Sequence, residues 1–139
     1  MNAKSFLDTN IFVYSFDRSA PAKARQATRL IRTALETGLG VISYQVVQEF
    51  VSVILRFSHL ISVEETRQYL RTTMWPLLSV HSSQTLFLEA LRLSDSHRLS
   101  WYDSLIVAAA LQSKCEVLYS EDLQQGRHFG DLVVENPFR

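Results

Sequence analysis

Four acidic residues stand beside short apolar runs: Asp8 after Lys4-Ser-Phe-Leu7, Glu49 beyond Gly40-Val-Ile-Ser43, Asp103 beyond Ser100, and Asp122 after Glu116-Val-Leu-Tyr119. If they share one site their charges repel, so at least one carboxyl pKa rises strongly and the set titrates as a coupled group. A hard divalent cation removes that strain. Mg²⁺ takes a few carboxylates, keeps several waters and accepts the phosphate oxygens of a substrate, so Mg²⁺ or Mn²⁺ is the expected ion. Zinc fits poorly, because His59, His81, His97 and His128 show no paired ligand spacing and Cys115 stands alone. Gly38, Gly40, Gly126 and Gly130 form neither a phosphate-binding loop nor a dinucleotide fingerprint, and no Gly-x-Ser-x-Gly elbow supports a serine hydrolase.

The elements that must position these acids follow from periodicity. Lys4 to Leu7 reads as a strand ending near Asp8, where Asp-Thr-Asn favours caps and turns. Ala24, Ala27, Leu30, Ile31, Ala34 and Leu35 recur at helical spacing, opened by Pro21 and closed by Gly38 and Gly40. Gly40 to Ser43 is a second strand, and Ser43 caps a helix to about Phe57 that buries Val46, Phe50, Val53, Ile54 and Phe57. Ser62 and Glu65 have capping-box spacing and start a helix halted by Pro76. Leu77 to Val80 is a third strand, followed by helices from Ser83 to His97 and from Ser100 to Leu111, a fourth strand at Glu116 to Tyr119 and a fifth at Leu132 to Glu135. Strands alternating with helices predict an α/β class with a mainly parallel sheet of four to five strands. Such sheets bind ligands at the carboxyl ends of their strands, where Asp8 and Asp122 fall and where Glu49 and Asp103 come within reach.

Each acid also has an ordinary explanation. Asp8 suits a strand-end turn, Glu49 borders the apolar stripe of its helix, Asp103 completes an aspartate version of a capping box with Ser100, and Asp122 suits the cap of a short helix through Leu123 and Gln124. Taken together, those four readings treat the recurrence of acids at one edge of a sheet as coincidence.

Composition bounds the rest. With 139 residues, 47% of them hydrophobic, the chain has material for one domain over residues 1–139. A lone cysteine excludes an internal disulfide and fits a reducing, intracellular setting. There is no run of the ~20 apolar residues a membrane helix needs, and the N-terminus lacks the pattern of a signal peptide, so a cytoplasmic protein without membrane contact is expected. The formal charge of zero argues against a nucleic-acid partner, yet it hides segregation. Eleven of the fourteen bases are arginine, and Arg18, Lys23, Arg25, Arg29 and Arg32 follow one another without an acid between them. Arg25, Arg29 and Arg32 share one helix face, which is either a solvated surface or a contact for phosphate.

Four segments resemble the PIN-domain family, and within it the VapC-like toxins of bacterial toxin–antitoxin pairs: Phe6-Leu-Asp-Thr-Asn-Ile-Phe-Val-Tyr14, Ser43-Tyr-Gln-Val-Val-Gln-Glu-Phe50, Tyr102-Asp-Ser-Leu-Ile-Val-Ala-Ala-Ala110 and Tyr119-Ser-Glu-Asp-Leu-Gln-Gln-Gly126. The ending Val134-Glu-Asn-Pro-Phe138 also resembles the family's last strand and tail. The resemblance implies a three-layer α/β/α fold, with Asp8, Glu49, Asp103 and Asp122 as the catalytic, metal-binding acids and Asn10 and Ser120 as polar supports. It further implies Mg²⁺- or Mn²⁺-dependent endoribonuclease activity, a homodimer, and inhibition by a small antitoxin protein. Many members carry threonine where Ser120 stands. Two other readings remain open: a PIN-type module that binds RNA without cutting it, and a HAD-like phosphatase with Asp8 as nucleophile, a class that usually places a second aspartate where this chain has Asn10. The apolar residues Phe57, Leu60, Tyr69, Met74 and Trp75 of the helical hairpin serve either the core or a face for a second copy or an antitoxin.

Overall fold

The computed structural model describes residues 3–57 and 59–139. Met1, Asn2 and Ser58, which belong to the expected 1–139 domain, lie outside the described residues. The elements run β1 (Ser5–Leu7), α1 (Thr9–Tyr14), α2 (Pro21–Thr37), β2 (Gly40–Ser43), α3 (Tyr44–Arg56), α4 (Val63–Tyr69), a π segment (Leu70–Met74) and a 3-10 turn (Trp75–Leu77). They continue with β3 (Leu78–Val80), α5 (Gln84–His97), α6 (Trp101–Gln112), β4 (Val117–Tyr119), β5 (His128–Phe129) and β6 (Leu132–Glu135).

The strands order as β3-β2-β1-β4-β6-β5, parallel except for β5, which pairs antiparallel with β6. From β1 the chain moves outward through β2 to β3, then returns to build β4 on the other side of β1. Right-handed crossovers therefore put α1 to α4 on one face and α5 and α6 on the other, the three-layer α/β/α arrangement. Helix packing agrees, since α1 lies against α2 and α3 while α5 lies against α6. The order reverses between β1 and β4, which makes the carboxyl ends of these two strands the floor of a crevice.

Local chemistry explains the boundaries. Pro21 opens α2 with φ preset, and Gly38 closes it in the left-handed region at φ 70°. Ser62 and Glu65 make the expected capping box on α4. Pro76 does not stop that helix cleanly, because the chain loosens into the π segment and leaves through the 3-10 turn, where a proline lacking an N–H is tolerated. α6 is buried all round from Ser104 to Ala110, which accounts for its almost uninterrupted apolar sequence. Phe12, Phe16, Phe50 and Tyr69 form an aromatic cluster joining α1, α3 and α4, with Phe16 and Tyr69 edge-on at 4.8 Å and Phe50 and Tyr69 at 5.3 Å between ring centroids. Of the hairpin residues, Met74 is fully buried, Leu60 and Tyr69 pack against the core, and Trp75 is exposed; Phe57, expected on the buried side of α3, is exposed as well, because the helix ends at Arg56 and Phe57 leaves its register.

Three elements depart from the sequence reading. α1 follows Asp8 at once where the residue types predict only a turn, because one and a half turns hold too few residues to display a period. β5 adds a sixth strand of two residues, too short for alternation to register. Leu123 and Gln124 form no helix and instead lie in the bend between β4 and β5.

α2 and β2 approach closely only because residue 40 lacks a side chain: a Cβ on Gly40 would collide with the Cβ of Ala34 and lie 3.1 Å from its Cα. Gly40→Ala should therefore lower stability by about 1–3 kcal/mol in denaturant unfolding. The cost should shrink in an Ala34→Gly background; an equal cost in both backgrounds would place the strain elsewhere.

Candidate active site

β1 pairs with β4 as Ser5 to Val117, Phe6 to Leu118 and Leu7 to Tyr119. The next residue on β1 is Asp8, whose N–H donates to the Tyr119 carbonyl at 3.0 Å, so the register sets Asp8 beside Ser120. The Ser120 hydroxyl donates to Asp8 Oδ2 at 2.8 Å, and the Thr9 N–H donates to Oδ1 at 2.7 Å, which makes Asp8 the N-cap of α1. Ser120 Oγ also accepts from the Asp122 N–H at 3.2 Å, and the Asn10 amide donates to Asp122 Oδ2 at 3.0 Å. Asn10 and Ser120, the polar positions that the resemblance implies, thus each bond to one of the two acids at adjacent strand ends.

Glu49 comes from α3. Its Oε1 accepts from the Thr9 hydroxyl at 2.6 Å, tying α3 to the start of α1. Gln45, one turn earlier, is buried, and its Nε2 donates to the Tyr102 carbonyl at 3.1 Å and at longer range to Glu49 Oε2 at 3.4 Å. Ser43 stands at the N-cap of α3, as expected, but its hydroxyl makes no capping bond and is buried without a partner. Asp103 sits in the first turn of α6, where its N–H donates to the Ser100 hydroxyl oxygen at 3.2 Å, the cap that the spacing predicts.

All four acids line one cavity of about 290 Å³, together with Thr9, Asn10, Gln45, Arg56 and Tyr102. Their side-chain lining is oxygen-rich and contains no imidazole or thiol. Among the described residues no three carboxylate, imidazole or thiol groups stand close enough together to hold a metal ion directly. Burial dominates the electrostatics: it pushes the Asp8 carboxyl up to about 7, against the opposing pull of the Ser120 and Thr9 bonds and with added repulsion from Asp122 and Glu49. Burial also raises Asp122; the Asn10 bond works against this, and the charges of Asp103 and Glu121 add to it.

Sequence similarity decides the family: the PIN domain matches residues 5–128. The chain belongs to the PIN-domain family. A solved structure, the VapC20 toxin of Mycobacterium tuberculosis, described as cleaving the sarcin-ricin loop, superposes on this PIN domain with a TM-score of 0.64. The alignment covers 85% of this chain and 89% of that one at 18% identity, a likeness of fold. No curated protein is significantly similar in sequence.

The basic residues of this PIN domain divide. Arg18, Arg25, Arg29 and Arg32 carry no ion pair among the described residues, and the last three line a shallow hollow on α2 that shares no residue with the acidic cavity. Lys23 is committed elsewhere: its ammonium donates to Glu121 at 2.7 Å and to the Tyr14 hydroxyl at 3.2 Å, and lies 4.5 Å from the Tyr14 ring centroid. Tyr14 in turn donates to Glu121 at 2.6 Å and packs edge-on against Phe138 at 4.9 Å. This clamp anchors the residue preceding Asp122, so Lys23 serves the loop rather than standing free with the arginines. Sequence reasoning passes over Arg56, Gln45, Thr9 and Tyr102 as cavity residues. The first two are legible as a polar stripe, since Gln45, Glu49, Ser52 and Arg56 follow at helical spacing along α3.

The Asp8 shift sets a pH dependence. Because the folded carboxyl is raised from 3.8 to about 7, the stability it contributes is full below pH 3.8 and is lost as pH rises through about 7. The gap corresponds to about 4 kcal/mol. In metal-free buffer, Asp8→Asn should exceed wild type in stability by an amount that grows from near zero at about pH 4 towards that value at about pH 8. Urea unfolding across pH measures it; a difference independent of pH would contradict the raised pKa.

Proposed function

We propose that this chain is a divalent-metal-dependent endoribonuclease and the toxin of a toxin–antitoxin pair, with Asp8, Glu49, Asp103 and Asp122 as its metal-binding, catalytic acids. The observation that carries the reading is that these four acids line one cavity in a PIN-family chain, with Asp8 buried and, among the described residues, no base bonded to it. The fold shared with VapC20, a sarcin-ricin loop cleaving toxin, favours RNA as the substrate.

The residues fit a hard cation. Carboxylate, amide and hydroxyl oxygens match Mg²⁺ or Mn²⁺, and a cation beside Asp8 would relieve the cost of burying its charge. When bound, such an ion supplies a water of lowered pKa and neutralises charge developing on the phosphate. Ser120 and the Thr9 N–H hold Asp8 in one orientation, Thr9 holds Glu49, and Asn10 holds Asp122, so these three acids are oriented before a substrate arrives. The lining contains no cysteine or histidine nucleophile, and water attack at phosphorus leaves a 5′-phosphate and a 3′-hydroxyl.

Arg18, Arg25, Arg29 and Arg32 supply positive partners for an RNA backbone lying across α2. A cytoplasmic setting, a homodimer and a small antitoxin encoded beside this chain complete the reading. Among the described residues, no helix is long and apolar enough to cross a membrane.

Purified protein should cut RNA with Mg²⁺ or Mn²⁺ and stop in excess EDTA, and mapping of RNA ends should find new 5′-phosphates with wild type and none with Asp8→Asn. Cutting that persists in chelator with metal-free protein, or wild-type rates from Asp8→Asn, would overturn the assignment. Reversing charge at Arg25 and Arg29 should weaken RNA binding and flatten its dependence on salt, with the slope falling by about one for each phosphate that is no longer neutralised. An unchanged slope would remove the α2 face from the RNA path.

A further inference from the structure

The mouth of the acidic cavity holds two residues that its carboxylate chemistry does not use. Tyr102, in the first turn of α6, is 65% exposed, although Ser104 to Ala110 of the same helix are all buried. Arg56, in the last turn of α3, is also exposed and is the one base among the residues that line the cavity, yet among the described residues it forms no ion pair with any of the four acids. The cavity therefore has a flat aromatic residue on one helix and, on another, a guanidinium that lies 5.9 Å from the Phe57 ring centroid and has no acid partner among the described residues.

Tyr102 is placed rather than incidental. The buried Gln45 amide donates to the Tyr102 backbone carbonyl at 3.1 Å and reaches Glu49 at 3.4 Å, so one side chain ties the backbone that carries the aromatic residue to a cavity acid. The orientation of that amide is determined, because both partners are acceptors and must face its nitrogen. Asp103 follows Tyr102 directly on the helix. The preceding residue, Trp101, is engaged differently, with its ring 6.0 Å from that of Phe87 on α5. Tyr102 is thus the aromatic residue of α6 left to the cavity.

We propose that Tyr102 and Arg56 form a nucleotide subsite, in which the Tyr102 ring stacks on an unpaired base next to the scissile phosphate and Arg56 holds the flanking phosphate. This rests on the ribonuclease reading and deepens it. A phosphodiester in the cavity brings a base and a second phosphate with it. A ring stacks on any base face with little regard to sequence, while an unpaired guanidinium matches phosphate oxygens in two directions. Double-stranded RNA offers no free base face, so the subsite selects unpaired or splayed-out nucleotides. Tyr102 and Arg56 here are binding residues that set specificity.

The test compares fluorescent single-stranded oligouridylate and oligoadenylate with an abasic ribose-phosphate strand of equal length and charge, using the full chain in Ca²⁺ to suppress cutting. Wild type should bind the base-bearing strands more tightly than the abasic one. Tyr102→Ala should lose about tenfold or more on base-bearing strands and little on the abasic strand, whereas Tyr102→Trp retains the preference. Arg56→Gln should weaken all strands alike and lower the salt slope by about one. Unchanged thermal unfolding of Tyr102→Ala, expected for so exposed a ring, separates stacking from a structural role. A Tyr102→Ala protein that keeps the wild-type preference for bases overturns the subsite while leaving the ribonuclease reading intact. Wild type that binds no strand overturns both.

Discussion

A carboxylate buried at the junction of two parallel strands is the constraint around which this molecule is organised. Asp8 follows the last residue of β1 and is 7% exposed, and the same placement that hides it from water puts it on one cavity with three other acids. Desolvation is the main force that drives its pKa to about 7, and the two hydrogen bonds it accepts offset only part of that cost. Ionised, a group so placed costs the fold stability, a cost that protonation or a positive charge beside it relieves. Proteins retain such sites where function requires them.

The surrounding structure keeps that carboxylate in place. Parallel register brings Ser120 level with Asp8, and α1 begins immediately so that the Thr9 N–H turns towards the carboxylate. Hydrogen bonds from Thr9 and Asn10, adjacent on α1, reach Glu49 on α3 and Asp122 after β4, linking three segments far apart in sequence. Behind them, the Lys23, Glu121 and Tyr14 clamp holds the loop that carries Asp122, and Gln45 ties the start of α3 to the first turn of α6. The acidic edge is therefore held firmly where it touches the sheet and is open at its mouth, where Arg56 and Tyr102 remain exposed.

Much of this is legible in the sequence because periodicity and caps are local signals. The Pro21 and Gly38 bounds of α2, the Ser62 and Glu65 capping box and the Ser100 cap each depend on neighbours within one turn, and each appears where the spacing puts it. The four acids are legible because they adjoin strand ends, and the α/β alternation says that those ends share an edge. Other features escape for equally physical reasons. α1 and β5 are shorter than the window in which a period emerges. Lys23 belongs to the same basic run as Arg25 and Arg29, and only its tertiary partner Glu121, 98 residues away, separates it from them. Ser43 has the sequence of a capping serine but is held among core residues with its hydroxyl unpaired. Arg56 is legible as the end of the polar stripe begun by Gln45, Glu49 and Ser52, but that the stripe lines the acidic cavity emerges only when α3 is set against β1 and α6.

Burial holds Asp8 near neutrality, and a divalent cation joining it would make it an anion. A ¹³C-carboxyl NMR titration of the labelled protein measures this directly. Asp8 should titrate near 7 in metal-free buffer, and its midpoint should fall as Mg²⁺ is added. A metal-free midpoint near 3.8, or a midpoint that Mg²⁺ leaves unmoved, would contradict it.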